Sequence, residues 1–355
     1  MTNNKNNMNF KEISTNQWQS SKDVVCIQTI DTHTAGEPLR IILNGFPNLR
    51  GKSVLEQRKY AYKYHDNIRR ALMWEPRGHA DMYGCLVNPS VTDEADFSVL
   101  FMHNEGFSTM CGHGIIGVTT AMLECGIMPM KSPETTVKID TPAGLVTAIA
   151  RTNGKKVNSV YFYNVPSFVF SSDQILEISE FGQIKYDIAF GGAFYAFVNA
   201  DDLGLKMIPE NSRQLISVGM TIKNAIIREV PIIHPLEKEM NFLYGTIFTG
   251  KPISQTADSR NVCIFAEGEV DRSPTGTGVS ARLALHYANG EISIGDSMVI
   301  ESIIGSQFRG SVKENIKFGV IDSIIPEVEG NAFITGRHEF YIDSNDPLKH
   351  GFIIR

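Results

Sequence analysis

Short apolar runs rich in β-branched residues, broken by Gly, Pro, Asn and Asp, recur along most of this chain. They predict strands over 24–29, 39–43, 97–101, 137–139, 145–150 and 160–163, mostly antiparallel. Helical periodicity is rarer. One stretch, 54–74, carries Leu55, Tyr62, Ile68, Leu72 and Met73 between charged positions and predicts a helix that covers a sheet. Two others, 112–125 and 276–288, are apolar almost throughout, open on glycines and stop near Gly126 and Gly290. Residues 1–22 are polar and of low complexity, and read as a disordered tail.

The two apolar helices open on matching sequences, Cys111-Gly112-His113-Gly114-Ile115 and Thr275-Gly276-Thr277-Gly278-Val279. The match continues downstream, where 140–144 and 301–305 each form a turn that leads into another strand. One unit is therefore expected to occur twice. A chain of 355 residues exceeds the usual size of a single core, which also favours two domains.

Each motif places Cys or Thr beside the free N–H groups of a helix N-terminus, a setting that binds carboxylate and lowers a thiol pKa from its usual ~8.5. Cys111 thus reads either as a reactive thiol or as a structural cysteine; the glycine frame around it favours the first. The 271–278 segment reads as a ligand-binding loop or as a helix entry capped by Asp and Ser. Asp271 could receive a cationic amine. A phosphate loop is disfavoured because no Lys follows the glycines.

Composition narrows the partners. A net charge of −6 argues against nucleic acid and anionic membrane, which leaves a small molecule as the expected ligand. Five cysteines without a CxxC spacing fit reduced thiols in a cytoplasmic protein. The start of the chain has no apolar leader and no apolar run is long enough to cross a bilayer. The polar clusters at 31–33, 78–81 and 103–105 lack metal-ligand spacing, and no metal is expected.

The segments 31–38, 75–79, 81–84, 110–114 and 271–278 together resemble the proline racemase family. The resemblance implies an α+β fold like that of diaminopimelate epimerase, with two pseudo-symmetric domains, each a mostly antiparallel sheet wrapped around a central helix. The expected division is 23–155, carrying Cys111 and completed by 341–355, and 156–340, carrying Asp271 and Thr275. The resemblance also implies no cofactor and a homodimer.

Racemases and 4-hydroxyproline epimerases of that family place a cysteine in each motif, one on each face of the substrate Cα. Here Thr275 replaces one of them. A Thr hydroxyl cannot cycle as a thiolate does, and nothing adjacent in sequence offers a base to activate it. The Cys/Thr pair is similar to the trans-3-hydroxy-L-proline dehydratase branch. It implies Cys111 and Thr275 as the catalytic pair, with Gly112, His113, Gly276 and Thr277 as backbone donors to the substrate carboxylate. Asp271 is expected to hold the ring ammonium, with Tyr83 and Phe265 packed on the ring. The alternatives are an epimerase or racemase, and a non-catalytic binder of imino acids. A cysteine peptidase is disfavoured by the lack of a His/Asn signature.

Overall fold

The computed structural model describes residues 23–354; the expected tail at 1–22 lies outside them. Strands β1 (Val24–Thr34), β2 (Glu37–Asn44), β3 (Gly84–Asn88), β4 (Phe97–Met102), β5 (Glu134–Thr141), β6 (Gly144–Thr152) and β7 (Val157–Tyr163) accompany helices α1 (Val54–Met73) and α2 (Gly112–Glu124). β8 (Phe168–Ile178) opens the second half. There follow β9 (Gly182–Phe190), β10 (Phe194–Asn199), α3 (Ser212–Glu229), β11 (Leu243–Gly250), β12 (Ser259–Phe265), β13 (Glu269–Val270), α4 (Gly276–Ala288), β14 (Ser297–Glu301), β15 (Gln307–Phe318), β16 (Ile321–Gly330) and β17 (Ala332–Asp343).

The pairing pattern repeats. β1 runs antiparallel to β2, β2 parallel to β3, β3 antiparallel to β4, β4 parallel to β5, and β5, β6 and β7 follow antiparallel. β9 to β12 and β14 to β16 repeat the same senses in the same order. The ladders join where β7 meets β16. Each half takes one more antiparallel strand: β8 beside β9, and the C-terminal β17 beside β1 from Val24↔Asp343 to Thr34↔Ala332. This is the expected α+β architecture with an internal repeat.

In each half the helix that follows the fourth strand of the repeat, α2 or α4, lies inside the curl of the sheet. α2 has no charge before Glu124 and is buried from Gly112 to Leu123, as expected for a helix that is apolar on every side. α1 lies outside and is amphipathic. Its buried face is Val54, Ala61, Arg69, Ala71, Leu72 and Met73, packed over β4. Tyr62, expected on that face, is instead 63% exposed.

α3 takes the equivalent outer position in the second half and was not expected from the sequence. Its inward residues Leu215, Val218, Gly219, Ile222 and Ile226 do follow a helical period. Ile, Val and Thr weaken its propensity, Gly219 interrupts it, and Asn211 makes no side-chain cap. Its formation therefore depends on packing against β11 and β12. No helix among the described residues is long and apolar enough to cross a membrane.

Candidate active site

The N-termini of α2 and α4 meet nose to nose. A Cβ added to Gly112 would lie 2.6 Å from the Gly276 Cα, and one added to Gly276 would lie 2.8 Å from the Gly112 Cα. Two helix ends can approach this closely only when both first residues are glycine. The free N–H groups of both ends therefore border one small space, where they attract a carboxylate.

Cys111 is the N-cap of α2, in extended conformation with φ −149°, and its thiol accepts the Gly114 N–H at 3.3 Å. The His113 Nδ1 lies 3.2 Å from Sγ. Thr275 is the N-cap of α4 but adopts φ +67°, a rare conformation for a β-branched residue. Its hydroxyl makes no cap bond. It donates instead to Asp271 Oδ2 at 2.8 Å, while Asp271 Oδ1 accepts the Ser273 N–H at 2.7 Å. The sequence placed no base beside Thr275, but the loop folds one back onto it from four residues earlier.

All nine residues expected at a site line one cavity: Cys111, Thr275, Gly112, His113, Asp271, Gly276, Thr277, Tyr83 and Phe265. Met110, Tyr195 and Tyr244 complete the wall and were not anticipated. Tyr195 and Tyr244 lie on β10 and β11 among apolar neighbours, where nothing local distinguishes a site tyrosine from a core one. Their hydroxyls are nonetheless committed to partners at the site. Tyr195 OH pairs with Thr277 Oγ1 at 2.7 Å, and Tyr244 OH with Tyr83 OH at 3.3 Å. Tyr244 stacks on Phe265 with centroids 5.3 Å apart.

The cavity is narrow, and the side chains that line it are buried. Its volume reaches only about 20 Å³, room for about one water. That enclosure reverses one expectation: burial pushes the Cys111 thiol well above its ordinary range, outweighing the helix end. Hydrogen bonds from the Gly114 N–H and from Tyr83 pull it back in part. Burial lowers the His113 imidazole and holds it neutral, with Asp271 acting in the opposite sense. Both shifts favour the proton on sulfur, with the neutral imidazole 3.2 Å away as its hydrogen-bond partner.

The three clusters considered for metals make hydrogen bonds with neighbouring groups. Asp31 pairs with Arg40 at 2.9 Å. His33, His79 and His103 each accept a backbone N–H at Nδ1, from Gly36, Asp81 and Glu105 respectively.

The family model described as proline racemase matches residues 29–353. The chain is 45% identical over 342 residues to a trans-3-hydroxy-L-proline dehydratase of Colwellia psychrerythraea, covering 96% of each chain. A 3-hydroxyproline 2-epimerase of Burkholderia multivorans is 42% identical over 329 residues, covering 93% of this chain and 98% of that one. The crystal structure of a hydroxyproline epimerase from Agrobacterium vitis, with bound trans-4-hydroxy-L-proline, superposes with a TM-score of 0.89 at 33% identity. It covers 93% of this chain and 96% of its own.

Proposed function

Because this chain belongs to the proline racemase family, we propose that it dehydrates trans-3-hydroxy-L-proline to Δ1-pyrroline-2-carboxylate, without a cofactor and with Cys111 as the acid/base. The observation that carries this reading is the lopsided cavity. A thiol with an imidazole partner lines one part of it, and an alcohol already bonded to a carboxylate lines another.

In trans-3-hydroxy-L-proline the carboxylate and the 3-hydroxyl lie on opposite ring faces, so Cα–H and C3–OH share one face. One group on that face is enough for a syn elimination. The minor thiolate form of Cys111, its proton passed to His113 against both shifts, takes the Cα proton. The C3–O bond breaks, the thiol proton leaves with the oxygen as water, and a Cα=C3 double bond remains. The resulting enamine tautomerises to the imine, which needs no further enzymic group.

The developing carbanion is stabilised through its carboxylate, held by N–H groups of Gly112, His113, Gly276 and Thr277 at the paired helix ends. Asp271 receives the ring ammonium and keeps it electron-withdrawing. Tyr83 and Phe265 pack on the ring and exclude water. Thr275 keeps the opposite face closed to reprotonation: its hydroxyl is a donor to Asp271, and an alcohol is too weak an acid to cycle at neutral pH.

Purified protein assayed with trans-3-hydroxy-L-proline, trans-4-hydroxy-L-proline and L-proline tests the reading. Imine formation from the first substrate alone, without loss of optical activity in the others, is the expected result. The likeness to proteins named as epimerases supports a second reading, isomerisation at Cα. Solvent deuterium appearing at Cα with inversion and without imine would establish it instead.

A further inference from the structure

The cavity at Cys111 is too small for an imino acid, so a ligand reaches it only when a wall moves. A second cavity, of about 350 Å³, lies against that wall and shares Tyr244 with it. It sits between the two halves of the molecule: α1 and the loop before α2 form one side, α3 and β11 the other. His103 lines it and packs against Tyr83, Tyr244 and Phe265, with ring centroids 5.6 to 6.0 Å apart. At the opposite end it opens to solvent past Tyr62 and Ile227, which are 63% and 49% exposed.

The charges in this second cavity form a pattern that neither the core nor the proposed reaction explains. Lys223 is 6% exposed, and its Nζ donates to the Ala266 carbonyl at 2.7 Å. Arg58 is partly buried, and its Nε donates to the Phe107 carbonyl at 2.7 Å. Both cations thus bind neutral oxygens. Glu105 lies 4.0 Å from Lys223, half exposed at the rim; Glu239 pairs with Lys59 at 2.8 Å; and the buried Glu269, 3.9 Å from the His103 ring, accepts the Asn104 N–H at 2.7 Å. Two sheltered cations with one carboxylate at the rim, around an apolar lining of Phe107, Phe242 and Tyr244, complement a ring that carries both a carboxylate and an ammonium.

We infer that this cavity is a staging site for the zwitterionic imino acid, where Arg58 and Lys223 hold its carboxylate and Glu105 its ammonium before it passes Tyr244 to Cys111. The inference rests on the proposed substrate class. The His103 imidazole in the same cavity is held neutral chiefly by burial, and further by Arg69, Lys223 and Arg58 in that order. His103 therefore does not compete for the carboxylate as a cation. The hydrogen-bonded hydroxyls of Tyr83 and Tyr244 form the partition, and separating them opens the way inward.

The test changes charge at the mouth without touching the Cys111 cavity. Ile227→Glu, on the exposed face of α3, adds a carboxylate that repels an incoming one, and Arg58→Gln removes a cation. Both should lower kcat/KM for the imino acid about fivefold at low ionic strength and leave kcat unchanged, the signature of slower capture. In parallel, alkylation of Cys111 by iodoacetate should slow about fivefold relative to iodoacetamide, because only the first reagent carries a charge. Should Arg58→Gln fail to fold, the surface variant decides alone. An unchanged iodoacetate-to-iodoacetamide ratio, or kcat falling together with kcat/KM, overturns the staging site. Absence of imine from wild-type enzyme would overturn the functional reading instead, and the alkylation ratio would still decide the mouth site.

Discussion

The N-termini of α2 and α4 occupy equivalent places in the repeat and abut through Gly112 and Gly276, yet their first side chains point to different chemistry. Cys111 takes an ordinary extended conformation, folds over its own helix end and meets His113. Thr275 is held at φ +67° and turns its hydroxyl away from the helix to Asp271. The two ends also differ in their surroundings. The alcohol side carries Asp271, with Glu37 and Glu269 close enough to interact; the thiol side offers a neutral imidazole. A duplicated fold thus supplies the symmetric part of the task, two N–H-rich helix ends for one carboxylate. A few side chains then divide the remaining work unequally.

The largest expected effect comes from removing the thiol. Cys111→Ser should lower the rate of imine formation at least about a thousandfold, in the range lost when a general acid/base is removed. Retained dehydration with this variant would show that the two helix ends do not differ in the way described. Next comes restoring symmetry. Thr275→Cys places a second thiol on the opposite side, so deuterium exchange and inversion at Cα should appear with proline or a hydroxyproline. If no proline derivative shows either, the assignment of the two faces is wrong.

The third effect concerns the charge that distinguishes the alcohol side. Asp271→Asn keeps an oxygen for the Ser273 N–H but removes the carboxylate. Loss of a charged hydrogen bond of about 1.5 to 3 kcal/mol should raise KM roughly 10- to 100-fold. Steady-state kinetics with the imino acid measure this directly, and unchanged KM and kcat would remove Asp271 from substrate binding.

What the sequence allowed and what it hid follow the same division between local and distant interactions. Both helix starts, the turns after β5 and β14 and the glycine frames are local patterns, so they were legible in the chain. The expected site residues came from ordered motifs and meet in one cavity. Tyr195 and Tyr244 were hidden because they reach the cavity only through strand pairing. α3 was hidden because packing rather than propensity holds it. The direction of the Cys111 shift was misread for a similar reason: a helix end is visible in sequence, whereas complete enclosure of a thiol is not.

The smallest expected effect tests whether Glu37 adds a negative charge beside Asp271 on the alcohol side. Glu37 lies at the start of β2, wholly buried; one carboxyl oxygen accepts the Arg272 N–H at 2.7 Å and the other has no partner. Burial first, then the nearby Asp271, raises its pKa well above the ordinary carboxyl range, while Arg272 acts in the opposite sense. Below about pH 4.3 the carboxyl is protonated both folded and unfolded, and the stability it contributes is fully present. As pH rises the unfolded chain ionises first, so that contribution is lost progressively up to the raised folded value. Glu37→Gln keeps a carbonyl for the Arg272 N–H and cannot ionise. Its Tm relative to wild type should therefore climb between pH 4 and 8, reaching a gain of about 2 °C, near 1 kcal/mol for a chain of this size. A Tm difference that stays flat with pH would mean that Glu37 titrates normally, and that Asp271 shares its side of the cavity with a second anion.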